Sequence, residues 1–143
     1  MLICQISVFL ENRKGRLYEV SSVLGKACVN IKALTIAESS DFGILRMVTD
    51  RPDAAANALK EAGFTAETTE IVAVEVEDEP GGLAKVLKVI DDNDLNLEYM
   101  YGFVEKHTDK ALMVFRFEDP QQAVKILIKN RINTVKAKDI SAL

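Results

Sequence analysis

The chain has 143 residues, 48% hydrophobic and 28% charged, with a formal net charge of −4 and a pI near 5.1. That composition belongs to a folded core rather than a disordered segment, and its acidic balance weighs against a nucleic-acid partner, which needs a concentrated basic surface to displace phosphate counterions. No apolar run approaches the roughly 18 residues of a membrane span, and Met1 leads directly into a strand pattern without a leader's charged start or cleavage site, so a cytoplasmic protein without membrane contact is expected.

Leu2 to Leu10 alternates apolar and polar residues as a half-buried strand does, and Glu11 to Gly15 interrupts it. Leu17, Val20, Leu24 and Ala27 then recur at helical spacing, which predicts a helix over 15–28. Ile31 to Glu38 and Ile44 to Thr49 read as a hairpin around Ser39 to Gly43. Pro52 suits a first helical turn, and the alanine-rich helix it opens stops at Gly63. A closing strand follows over 64–69. The rest of the chain gives the same series: a strand over 71–76, a helix over 80–93, a hairpin of 97–104 with 111–117, a helix after Pro120 and a strand over 132–138.

The two series superpose. A shift of 66 residues carries Gly15 onto Gly81, Val20 onto Val86, Val23 onto Val89, Leu24 onto Ile90 and Asn30 onto Asn96, and sets Ile6, Val8 and Leu10 on Val72, Val74 and Val76. Beyond the hairpin the shift becomes 68, matching Met47 with Phe115, Pro52 with Pro120, Ala55 with Ala123 and Leu59 with Leu127. The second hairpin has therefore gained two residues. The order βαββαβ, twice, with right-handed crossovers, makes two tandem α+β copies of a ferredoxin-like sandwich, each an antiparallel four-stranded sheet with both helices on one face. The expected domains are 1–69 and 70–143, with only Thr69-Glu70 between the strands that flank the boundary.

Fold alone says little about chemistry, so the loops must supply it. The run Glu11-Asn12-Arg13-Lys14-Gly15-Arg16-Leu17, followed by Val29-Asn30-Ile31, resembles the ACT domain, particularly the serine-sensing version at the end of bacterial phosphoglycerate dehydrogenases. The second copy has the more general ACT pattern, Asp78-Glu79-Pro80-Gly81-Gly82-Leu83 with Leu95-Asn96-Leu97. The resemblance spans essentially the whole chain. It implies a regulatory protein that binds a free amino acid near the first strand-to-helix loop, at an interface between copies or subunits, without a cofactor. It implies a homodimer, and a regulated enzyme as a further partner. The implied ligand-binding positions are Asn12, Arg13, Gly15, Arg16, Leu17, Asn30 and Ile31, with Gly81, Gly82, Leu83 and Asn96 in the second copy.

The physical reading of that loop agrees. Without a Cβ at Gly15, the amides of residues 15 to 17 can approach an α-carboxylate at a helix N-terminus that favours an anion, and the Asn12 amide can both donate and accept. Bland roles compete: the glycines shape a tight connection, Asn12 caps or turns, and Asn30 and Asn96 are left-handed residues after a helix. The serine-sensing version has a histidine where Leu10 stands and a proline where Lys14 stands, which makes serine itself doubtful. In the second copy Asp78 and Glu79 would repel a carboxylate unless a basic group faces them. Tyr99, Tyr101 and Phe103 line a pocket or are plain core.

Catalytic chemistry is poorly supplied. The one histidine, His107, falls in a polar hairpin beside Lys106 and Asp109, and the acidic runs 75–79 and 91–94 match no calcium loop. Gly81-Gly82 lacks the Lys-Ser/Thr of a phosphate loop. An RNA-recognition fold shares the strand order but needs exposed aromatics on a basic sheet, and a metal-chaperone relative would show Cys-x-x-Cys at Asn12 to Gly15. The expectation is no enzyme and no metal. The basic cluster Lys125, Lys129, Arg131, Lys136 and Lys138 reads as a solvated face, and Cys4 and Cys28 read as buried thiols. Ile3, Phe9, Ile44, Val48, Leu112 and Val114 make the outer sheet faces unusually apolar, which suggests packing against another subunit.

Overall fold

The computed structural model describes residues 2–106 and 108–143, so the readings placed on Met1 and His107 lie outside the described residues. Its contacts divide the chain into two compact units. One is Cys4–Thr69; the other is Glu70–Leu143, with Leu2 and Ile3 counted in it.

In the first unit the order is β1 (Ile3–Glu11), α1 (Arg16–Lys26), β2 (Ile31–Glu38), β3 (Phe42–Thr49), α2 (Pro52–Glu61) and the first part of β4 (Thr65–Val76). The strands lie in the order β2-β3-β1-β4. β1 and β3 pair antiparallel with Ile6 opposite Met47 and Val8 opposite Leu45, and β2 pairs with β3 so that Leu34 and Ile36 face the same side. That side holds the core: Ile6, Val8, Leu10, Leu45 and Met47 from the sheet meet Val20 and Leu24 of α1 and Ala55 and Leu59 of α2. Both helices thus cover one face, as the alternation in the strands requires.

The second unit repeats this with the rest of β4, α3 (Gly82–Asp92), β5 (Leu97–Gly102), β6 (Ala111–Phe117), α4 (Pro120–Lys129) and β7 (Thr134–Val135). Its strands lie in the order β5-β6-β4-β7, and Val72, Val74, Val76, Phe115 and Phe117 pack on Val86, Ile90, Ala123 and Leu127. Val72 sits opposite Phe115 as Ile6 sits opposite Met47, so the 66 and 68 shifts hold in the register itself.

Four readings change. β4 runs unbroken from Thr65 to Val76, so Thr69-Glu70 is strand rather than linker. The expected strand over 132–138 is only Thr134–Val135, and Ala137–Ser141 forms a short helix, α5. After Val135 the alternation lapses into Lys136-Ala137-Lys138-Asp139, and a helical turn is what buries Ile140. Ile3, Val48, Leu112 and Val114 are already buried within the single chain, so they need no second subunit to cover them. Phe9 and Ile44 keep partial exposure.

Cys28 is the fourth change: it is exposed, and Cys4 is half-buried. Each of the four long helices ends in the same way, with one left-handed residue, namely Cys28, Gly63, Asp94 or Arg131. The next residue's amide reaches back to the helix, as in Val29 N–H to the Leu24 carbonyl and Leu95 N–H to the Ile90 carbonyl. The left-handed residue is exposed in all four of these Schellman closures. Cys28 and Asp94 thus take the conformation expected of Asn30 and Asn96.

Candidate functional site

The loop from β1 to α1 ends at Gly15, the N-cap of α1, with φ 92° and no side-chain cap. A Cβ there would meet nothing within 4 Å, so glycine is needed for its backbone angle and the space beside it is open. The first amides of a helix have no partner inside it, and at α1 no capping side chain supplies one. The Arg16 N–H donates to the Arg13 carbonyl at 3.4 Å, which leaves the Leu17 and Tyr18 amides as donors without a capping side chain at the positive end of the helix dipole.

Asn12 does not cap this helix. Its Nδ2 donates to the carbonyls of Ser39 at 3.1 Å and Ser40 at 3.2 Å, while its backbone N–H donates to the Asp41 carbonyl at 2.8 Å. The side chain ties the β1–α1 loop to the β2–β3 hairpin. Both amide hydrogens are spent, which leaves Oδ1 to accept from a ligand. The expected dual role is thereby reduced to that of an acceptor.

Between that loop, α1 and the hairpin lies a hollow of about 190 Å³, lined by Leu10, Glu11, Asn12, Arg13, Arg16, Leu17, Ile36, Glu38 and Gly43. Four sequence-predicted positions meet here: Asn12, Arg13, Arg16 and Leu17. Arg13 pairs with Glu11 at 3.2 Å and Arg16 with Glu19 at 2.6 Å. The Arg16 guanidinium also sits 4.6 Å from the centre of the Phe64 ring, and its Nε is buried without a hydrogen bond among the described residues. Leu10, Glu11, Ile36, Glu38 and Gly43 were missed by sequence reasoning. The signal was available, because βαββ topology sets β3 beside β1 and so brings the hairpin end against the Asn12 loop.

Asn30 and Ile31 are elsewhere. Asn30 precedes β2 at the opposite end from Ile36, six residues or about 20 Å along a strand at ~3.3 Å each. Its backbone N–H donates to Asp50 Oδ1 at 2.8 Å, and the Asp50 N–H returns a bond to its carbonyl. Asn96 has the matching place, bonded through Nδ2 to Glu118 Oε2 at 3.1 Å. Both asparagines pin the start of one strand to the end of its neighbour. Ile31 packs on the first core.

The second loop differs in chemistry. Gly81 repeats the left-handed N-cap with φ 83°, but a Cβ on Gly82 would come within 1.9 Å of the Glu77 carbonyl, so this glycine is demanded by backbone approach. Asp78 pairs with Lys106, Glu77 with Lys110 at 3.3 Å and Glu79 with Lys85 at 3.4 Å. The acidic run faces basic side chains, and the loop is occupied by its own ion pairs. Leu83 packs on the second core. Gly82 borders a hollow of about 220 Å³ with Glu77, Lys85, Lys110 and Arg131; another, of about 380 Å³, is built mainly from residues 128–136. The latter is larger than the hollow at Asn12 but includes none of the sequence-predicted positions. Tyr101 is buried and Tyr99 and Phe103 half-buried, and none of the three borders these hollows. No metal-binding cluster occurs, and no helix is long and apolar enough to cross a membrane, among the described residues.

A family model described as an ACT domain pair matches residues 1–143. The chain belongs to this family of paired ACT domains. Among solved structures, the ACT pair is similar to a protein from Bacteroides thetaiotaomicron at 38% identity and a TM-score of 0.93, over 100% of this chain and 98% of that one. It also shares its fold with the regulatory subunit of aspartate kinase from Thermus thermophilus, in ligand-free form, at 15% identity and a TM-score of 0.62, covering 88% of this chain and 90% of that one. The corresponding subunit from Thermus flavus gives 14% identity and 0.60 over the same shares. A search of curated proteins finds no match. ACT domains are regulatory domains, and the two tandem ferredoxin-like units of this ACT pair follow that architecture.

Proposed function

We propose that this ACT pair is a regulatory protein, not an enzyme, that binds a free amino acid in the hollow beside α1 of the first repeat. The supporting observation is the meeting of Asn12, Arg13, Arg16 and Leu17 around an uncapped helix N-terminus. The α-carboxylate goes to the Leu17 and Tyr18 amides of α1 and the ammonium to Asn12 Oδ1 and Glu38, which has no ion-pair partner among the described residues. A volume of about 190 Å³ suits one amino acid, whereas pockets for drug-sized ligands run to about 300–1,000 Å³. Gly81, Gly82, Leu83 and Asn96 have structural roles in this reading, and the second repeat binds no amino acid.

The proposal includes a homodimer in the cytoplasm. β2 is an edge strand with Leu34 at 41% and Ile36 at 45% exposure. Two such edges paired antiparallel about Thr35 set Leu34 of one copy opposite Ile36 of the other. They also bring Asn30 of a second copy toward the Ser39-Ser40 turn that Asn12 grips, which places the ligand at a subunit interface. The output is a conformational or assembly change passed to a separate enzyme of amino-acid metabolism, at the 1–3 kcal/mol typical of allosteric coupling.

A second reading, an interaction module with no small ligand, draws on Tyr18 and Phe42, exposed at 75% and 62% outside the hollow. A thermal-shift screen of the common amino acids separates the two. Ligand at about 100 times its dissociation constant adds about 2.7 kcal/mol, or roughly 5–10 °C for a chain of this size. The proposal expects such a shift with one or two amino acids and its loss in Asn12→Ala; no shift with any amino acid rejects it.

A further inference from the structure

The hollow's walls separate by chemistry. Its polar groups gather toward the β1–α1 loop and the end of β2, as Asn12, Arg13, Arg16 and Glu38, while Leu10, Leu17 and Ile36 supply the apolar remainder. Leu17 and Ile36 are 43% and 45% exposed, although each belongs to a residue type that loses free energy by facing water. Both border a concave, polar-rimmed space, where exposed apolar surface is most economically covered by a ligand. Leu10 closes that wall without a hydrogen-bonding group. No hydroxyl, amide or charged side chain stands among these three to receive a polar ligand side chain.

Arg13 and Arg16 pair with Glu11 and Glu19, which leaves the carboxylate of Glu38 as the charge available to an ammonium. A charged ligand side chain laid against Leu17 and Ile36 would give up hydration with no counter-charge on that wall, which is costly. The second repeat sharpens the contrast. Under the 66-residue shift Leu10 and Leu17 keep apolar counterparts in Val76 and Leu83, but that of Ile36 is Gly102, so the strand side of the wall is present in the first repeat alone.

Resting on the amino-acid-binding reading above, we infer that the ligand class is the small aliphatic amino acids of valine, leucine and isoleucine type, and that Leu17 and Ile36 are the residues that select them. The lack of a polar group on the apolar wall disfavours serine, aspartate and lysine.

Calorimetric titration of the full chain with valine, leucine, isoleucine, serine, aspartate, lysine and phenylalanine tests this, on wild type, Leu17→Gln, Ile36→Ser and Asn12→Ala. The expected result is tightest binding for one of the three aliphatic amino acids, weakened about tenfold or more by Leu17→Gln and by Ile36→Ser through loss of apolar contact. Leu17 lies on α1 away from the β2 edge, so its variant reports on the ligand wall without altering a strand-edge interface. Preferred binding of serine, aspartate or lysine that Asn12→Ala abolishes would overturn the aliphatic class while the site stands. Absence of heat with every amino acid in wild type would overturn the binding reading, and this inference with it.

Discussion

Individual residues in the two strand-to-helix loops look alike in sequence and do different work. Gly15 and Gly81 both take a left-handed N-cap, but only Gly82 is pressed against backbone, at the Glu77 carbonyl. Gly82→Ala is therefore expected to unfold or strongly destabilise the second repeat, by at least the 1–3 kcal/mol typical of overpacking, measured by chemical denaturation. Gly15→Ala should cost about 1–2 kcal/mol for its backbone angle alone, which makes it a poor probe of ligand contact. Asn12→Ala is the cleaner one. It removes two exposed hydrogen bonds to the hairpin, worth roughly 1 kcal/mol in all, and a destabilisation above about 3 kcal/mol would show that the hairpin depends on Asn12 far more than its bonds imply. Asn12 was legible as a site residue because its type suits a zwitterion, but which of its atoms remains available was not, since that depends on a hairpin 27 residues away.

Among the elements, the two helices and the four-strand order of each repeat were legible because the core alternates so regularly: Ile6, Val8 and Leu10 against Val72, Val74 and Val76 need no structure to be paired. Element ends were less legible. Three of the four Schellman closures use Cys28, Asp94 and Arg131 where glycine would announce the stop, and only Gly63 did so. The apolar residue after each of them, Val29, Phe64, Leu95 or Ile132, was the available signal, because it packs back on the last turn. Cys28→Gly should relieve the left-handed strain but add unfolded-state freedom, so a net change within about 1 kcal/mol is expected in thermal unfolding. The misread terminal strand has its own test. If α5 docks as described, Ile140→Ala costs about 2–5 kcal/mol; a change under 0.5 kcal/mol, about that of a surface substitution, would show that α5 contributes no core.

At the level of the whole molecule, the repeats have diverged in their surfaces more than in their cores. Phe9, Leu17, Tyr18, Leu34, Ile36 and Phe42 are the large hydrophobic residues that the first repeat exposes, against Val104 and Ile128 in the second. In the proposed reading the first repeat carries the ligand and subunit contacts, while the second closes its loop with Lys85, Lys106 and Lys110. That division follows from side chains spread over four elements, which no single motif reveals. If β2 edges pair, Leu34→Glu should shift the sedimentation of the chain from dimer to monomer, and an unchanged dimer would place the interface elsewhere. The central claim, an amino acid seated in the first repeat, is tested most directly by titrating the isotope-labelled chain with valine and following backbone amide resonances. The account predicts shifts concentrated at Arg16, Leu17, Tyr18, Ile36, Glu38 and Gly43, with the loop at Asp78 to Leu83 unmoved. Shifts centred on Gly82 and Arg131, or none at saturating amino acid of any kind, would contradict it.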